Sequence, residues 1–239
     1  MATILYTGEN DILSPSRDLW AKCPILGKSK LEQCGMGTFF STDFNDLSAT
    51  YTLTQATAGT MTLKEEAGGI AAIDSGSTTT TQGPNIQWEP AGFVGSTKGY
   101  EIYMEARIKA PSGIGTAGNY FIGLAATDTT LIATSALSSQ AVGFVGLGVN
   151  TITGTTKGGS GATSTATLTT LAASTAVKLG MLITSSKIKF WVNGVLSTEV
   201  ITTNIATAQL RPTIVVQSRG TTQPILDMDW FHAYQNRAA

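Results

Sequence analysis

The sequence predicts an all-β protein, an antiparallel two-sheet β-sandwich preceded by an extended N-terminal arm. Three observations point there. Apolar and polar residues alternate at period two from Leu47 onward, the pattern of strands half-buried against a core. Thr is the most frequent residue, and its branched Cβ suits a pleated surface. No stretch of ten or more residues in this region carries the helical period, and about ten short strands with no helices between them make a sandwich or barrel.

Residues 1–46 hold both cysteines and a disproportionate share of the charge. They read as an arm, mostly irregular, with Ser14-Pro15-Ser16 opening a short helix through Leu19 and Trp20 that Pro24 and Gly27 stop. Residues 47–239 are the sandwich. TYTLTQA from Thr50 and GTMTLKEEA from Gly59 are alternating strands. GYEIYMEARIKAP is the clearest case: Ile102, Met104, Ala106 and Ile108 face one way, Glu101, Tyr103, Glu105, Arg107 and Lys109 the other. NYFIGLAA and AVGFVGLGV are apolar enough for central strands. Asn193-Gly194 is a two-residue hairpin, since both central residues of such a turn need φ > 0. RPTIVVQS and ILDMDWFHAYQ close the domain, with Leu226, Met228 and Trp230 expected in the core. Residues 131–140 read as a short helix or an irregular loop, and 74–83 and 154–166 as Gly/Ser/Thr-rich loops able to serve as contacts.

Composition limits function. The formal net charge is −1, so no basic footprint for nucleic acid exists. No run approaches the ~18–20 apolar residues of a membrane span. The first residues lack the basic and apolar regions of a secretory signal, which sets a reducing cytosol as the expected place of synthesis. Cys23 and Cys34 read as free thiols, although their spacing could close a hairpin. With one histidine, His232, and no calcium-loop spacing, no metal site or cofactor is expected.

Three segments together resemble the concanavalin A-like lectin/glucanase jelly roll: GYEIYMEARIKAP, KIKFWVNGVLSTEV and LDMDWFHAYQ. That resemblance implies a jelly-roll topology and raises the question of glycoside hydrolysis. Retaining and inverting glycosidases need carboxyl pairs at set separations. Glu101 and Glu105 lie about 13–14 Å apart along a strand, too far for either. Asp227 and Asp229, near ~7 Å, read better as polar positions on a final strand. No nucleophile elbow accompanies His232, so no catalytic residue is assigned. Trp88, Tyr103 and Trp191 are the candidates for stacking on a sugar. Trp191 follows Phe190, so one of the two faces inward and the other outward.

A second resemblance is narrower. NYFIGLAATDTTLIATSALSSQAVGFVGLG looks like a segment of tailed-bacteriophage virion structural proteins, through Phe121, Gly123, Leu124, Ala125, Asp128, Thr129, Leu137, Gly143 and Phe144. It implies a non-enzymatic virion component made in the host cytoplasm. The expected form is a capsid decoration (cement) protein bound to the major capsid protein, or else a tail component, and a homo-oligomer. The alternative is a carbohydrate-binding module; an inactive or divergent glycanase ranks third. Ile12, Leu13, Trp20, Ile25, Leu26, Phe39 and Phe40 in the arm are the assembly-interface candidates. Each large apolar side chain left in water forgoes roughly 1.5–3 kcal/mol, and a partner molecule is the expected cover.

Overall fold

The structure, a computed structural model, describes residues 37–44, 51–55, 59–64, 69–89, 92–94, 101–110, 118–133, 135–220 and 223–236 of the 239-residue chain. The strands in chain order are β1 (Gly37–Thr42), β2 (Tyr51–Gln55), β3 (Thr60–Lys64), β4 (Ile70–Asp74), β5 (Pro84–Trp88), β6 (Phe93–Val94), β7 (Ile102–Lys109), β8 (Gly118–Ala125) and β9 (Ile132–Ala133). Then come β10 (Ala136–Leu137), β11 (Ala141–Leu147), β12 (Thr151–Lys157), β13 (Thr163–Thr170), β14 (Ala176–Ile183), β15 (Ile188–Val192), β16 (Val195–Ile201), β17 (Gln209–Ser218) and β18 (Ile225–Asn236).

Two antiparallel sheets face each other. Sheet A runs β16-β15-β14-β7-β18-β4-β3, with β1 added along the second half of β18. Sheet B runs β13-β12-β11-β8-β17-β5-β2, with β6 on the start of β17. Alternation places Ile102, Met104, Ala106 and Ile108 of β7 in the core, against Tyr120, Ile122 and Leu124 of β8 and Ile214 and Val216 of β17. Phe144 of sheet B meets Phe190 of sheet A edge to face at 5.8 Å. The Gln235 side chain bonds both backbone groups of Val94, at 2.7 and 2.8 Å, and so ties the end of β18 to the strand lying on sheet B.

The predicted hairpin is present. Asn193 and Gly194 have φ of 49° and 79°, and the Asn193 side chain accepts the Lys178 amide of β14. Three segments differ from their reading in the sequence. Residues 37–44, read as part of an arm, belong to the sandwich: β1 pairs with β18 from Gly37↔Asn236 to Thr42↔Phe231, and Phe44 is buried in the core. Residues 154–166, read as a loop, are mostly the β12–β13 hairpin. Residues 131–140 form neither helix nor loop alone but the small β9–β10 hairpin. The loop at 74–83 is one, though pinned: Thr81 and Gln82 exchange backbone hydrogen bonds with Ser218.

Candidate functional site

A sandwich offers ligands two outer sheet faces. On sheet B that face carries Phe121, Gly123, Ala125, Ala141, Gly143, Val145, Thr213 and Val215, brought side by side by the register of β11, β8 and β17. It is closed. Residues 126–140 fold back over it, and Leu131, Ile132 and Leu137 form a second apolar cluster with Phe121, Ala125, Ala141, Val145 and Val215. Gly123 and Gly143 face each other beneath the Phe121 ring; a Cβ on Gly123 would stand 2.6 Å from the Gly143 Cα and 2.8 Å from that ring.

Polar side chains fasten this lid. The Asn85 and Gln87 amides donate to the Asp128 and Ala126 carbonyls, and the Gln217 amide to that of Ile132. Asp128 accepts from the Ser138 and Ser139 hydroxyls and the Thr130 amide. Burial pushes its carboxyl up, but these bonds and the Lys157 ammonium more than offset that and hold it below the ordinary value. β8, β11 and the segment between them are therefore one structural unit, a lid and the sheet it covers.

Sheet A presents chemistry on its outer face. Register aligns Leu196, Trp191, Gly180, Glu105, His232 and Ser41 in one cross-strand row, and Lys189, Leu182, Tyr103 and Tyr234 in the next. Tyr103, Leu182, Trp191 and Tyr234 form a buried cluster separate from the main core, with the two tyrosine rings stacked at 6.4 Å. Glu105 is 2% exposed, and its Oε2 has no hydrogen-bond partner among the described residues. Burial, only partly countered by Lys178, raises its pKa to about 8. Its neighbour His232 is pushed down to about 4, again by burial, against the opposing pull of Asp43. Both shifts favour the neutral form of the group. His232 shares a hydrogen bond of 2.7 Å with Ser41 and stacks on Trp230 at 4.9 Å.

Farther along this face a cleft of about 210 Å³ is lined by Ile70, Arg107, Ile108, Lys109, Ala176, Asp227 and Asp229. Its carboxylates are engaged: Asp227 with Lys64 at 2.6 Å, and Asp229 with Arg107. The strand register slips between Met228 and Trp230. This bulge sends Asp229 to Arg107, leaves Asp227 buried beside Lys109, and reverses the parity of the rest of β18. Trp230 accordingly lies half-buried on the outer face, not in the core as the sequence pattern suggested, and Phe231 and Ala233 take the core positions.

The aromatic candidates divide. Trp88 is no sugar platform: it is 3% exposed and sits among Phe40, Phe44, Tyr51 and Phe231, with ring centroids 5.3 to 6.4 Å away. Tyr103 and Trp191 do face outward, with Phe190 the inward partner, but both are buried. Phe40, expected on a partner, packs on the chain's own core. Phe39 lies opposite Tyr234 in β1, its side chain outside the described part. Ile12, Leu13, Trp20, Cys23, Ile25, Leu26 and Cys34 fall outside the described residues. The residues missed at the level of sequence are Trp230, hidden by the bulge, and Glu105, whose alternation was plain but whose burial was not. Among the described residues no three His, Cys, Asp or Glu side chains group as a metal site, and no described helix is long and apolar enough to cross a membrane.

No known protein family's sequence profile matches the chain, and no curated protein matches its sequence. Solved structures do match its shape. A protein of unknown function from Shewanella oneidensis MR-1 is 18% identical with a TM-score of 0.61, over 85% of this chain and 90% of that one. A β-1,3-1,4-glucanase (lichenase) from a mouse hindgut metagenome is 13% identical with a TM-score of 0.57, over 82% and 98%. Botulinum neurotoxin type C is 9% identical with a TM-score of 0.56, over 86% of this chain and 49% of that one. At these identities the likeness is one of architecture: the chain has the two-sheet jelly-roll fold found in glucanases and neurotoxins.

Proposed function

We propose that the protein is a non-catalytic structural component of a tailed-phage virion, a decoration protein seated on the head shell. The observation that supports this reading above all is the lid. The residues through which the chain resembles virion proteins, from Phe121 to Phe144, fold together as one lid-and-sheet unit, so the resemblance follows a three-dimensional module and not scattered positions. The chemistry of the faces agrees. Sheet B's outer face carries no carboxylate at its centre and is filled by apolar side chains. On sheet A, of the carboxylates weighed for hydrolysis, Asp227 and Asp229 are held in ion pairs, Glu105 is buried and Glu101 accepts from the Tyr103 hydroxyl. The sandwich then works as a rigid body, with the apolar residues between Ile12 and Leu26 as its tether to the shell. Purified chain mixed with assembled head shells lacking it should co-sediment at saturating, stoichiometric occupancy; failure to bind the shells would overturn the reading.

A second reading, glycan binding without hydrolysis, draws on the cleft at Arg107, Lys109, Asp227 and Asp229. Paired carboxylates and guanidinium groups can hydrogen-bond sugar hydroxyls, and Trp230 stands opposite Arg107 in register. One structural neighbour, botulinum neurotoxin type C, depends on two ganglioside molecules for cell entry. A glycan array read with the parent and Arg107→Ala separates this from the first reading: saturable binding lost in the variant supports it, and a blank array removes it.

A further inference from the structure

Every open sandwich has strand edges, and an edge is a row of unpaired backbone N–H and C=O groups that another strand can continue. The two sheets here end on one side in β2 and β3, each five residues long, and on the other in β16 and β13, seven and eight residues long. The second side is knit together: Ser164 at the start of β13 bonds Thr203 at 2.8 Å and Asn204 at 3.0 Å, just beyond the end of β16.

Edges are ordinarily guarded by charge, proline, short length or a bulge, and of these β13 has only a bulge, at Leu168. The β3 edge has Lys64. The β13 edge, Thr-Ser-Thr-Ala-Thr-Leu-Thr-Thr, has no charged residue and no proline, and Thr163, Thr165, Thr167 and Thr170 are exposed along it. Beside it, β16 carries Val195, Leu196 and Val200, three of the five exposed large apolar side chains among the described residues. Apolar exposure is thus concentrated where the backbone is also open.

We infer that this side of the sandwich is a homotypic interface, at which β13 of one copy pairs antiparallel with β13 of a second. The occupant is a second copy because the edge is self-compatible. β13 itself carries no charge, and Glu199 is the one charged residue of the neighbouring β16. Leu168 is bulged out of the β13 ladder, since Ile152 pairs with Thr169 and Thr153 with Thr167. A two-fold axis through Ala166 therefore sets Thr165 opposite Thr167, Ser164 opposite Thr169 and Thr163 opposite Thr170, and threonine-on-threonine pairs favour antiparallel ladders. The same axis brings the two β16 edges, with Val200, toward one another and closes the assembly as a dimer. Eight residues span only ~27 Å and the two sheets stand ~10 Å apart. The contact is therefore near the low end of stable interfaces, a micromolar association suited to reinforcement within a lattice. This does not depend on the virion reading.

Sedimentation equilibrium of the full chain from about 1 to 100 μM tests it. A monomer–dimer equilibrium is expected. It should vanish in the double variant Thr165→Lys, Thr167→Lys, which adds charge at exposed positions, and persist in Thr62→Lys on the opposite edge, with circular dichroism of all three chains alike. As a check free of substitutions, the β13 amides of the parent should exchange more slowly at the higher concentration. A chain monomeric throughout, a dimer that survives the paired lysines, or β13 exchange that ignores concentration would each overturn the inference.

Discussion

Replacing Glu105 with Gln should stabilise the protein, and by an amount that depends on pH. The carboxyl is 2% exposed and its pKa is raised from 4.5 to about 8, chiefly by burial. A raised folded pKa contributes stability that is complete below pH 4.5 and is lost as pH climbs to about 8, because the unfolded chain releases the proton first. At pH 7 the loss is about 3 kcal/mol, or about 6–12 °C in Tm for a domain of this size. Gln keeps the shape and cannot ionise. Its advantage over the parent should therefore be under 1 kcal/mol near pH 5 and should grow by about 1.4 kcal/mol per pH unit toward pH 8. Urea unfolding of both chains at several pH values measures it. His232 acts in the opposite sense: its depressed pKa contributes stability that is lost as pH falls from 6.5 through about 4. In the parent the two slopes cancel between pH 4.5 and 6.5, leaving a plateau with a decline on either side. Parallel pH profiles for parent and Glu105→Gln would refute the reasoning.

Gly194→Val should cost more than ~1 kcal/mol, since Gly194 holds φ of 79° in the hairpin; an unchanged melting temperature would contradict the turn assignment. Gly123→Ala, which drives a Cβ to within 2.6 Å of Gly143, should cost about 1–3 kcal/mol. Asp128→Ala should instead loosen the lid locally, raising amide exchange over residues 128–139 while β7 and β18 keep their protection. Incubation with β-glucans or chitin should release no reducing sugar, and release abolished in Asp227→Asn or Asp229→Asn would reverse the non-catalytic reading.

The features legible in the sequence are those that depend on local period. β7 alternates as its residues suggest, and Asn193-Gly194 turns the chain because few other pairs reach positive φ twice in succession. Three features were hidden because they depend on residues distant in sequence. The bulge at Asp229 adds one residue to β18 and reverses the facing of Trp230 and His232, and nothing in the string LDMDWFHAYQ marks where the slip occurs. Trp88 resembled a surface platform until Phe40 and Phe44, read as arm, supplied the rings around it. The lid over sheet B has no period of its own; Asn85, Gln87 and Gln217 hold its backbone from strands on either side in sequence. Glu105 was legible as outward-facing, but alternation records facing and not burial, and the residue is 2% exposed.

The most direct test of the proposed virion role is whether this chain is a component of purified tailed-phage particles. Quantitative mass spectrometry of density-banded particles should find the chain in a fixed, symmetry-related ratio to the major capsid protein, released by mild denaturation without opening the head. Absence from the particles, or a trace amount that varies between preparations, would contradict a structural role in the virion.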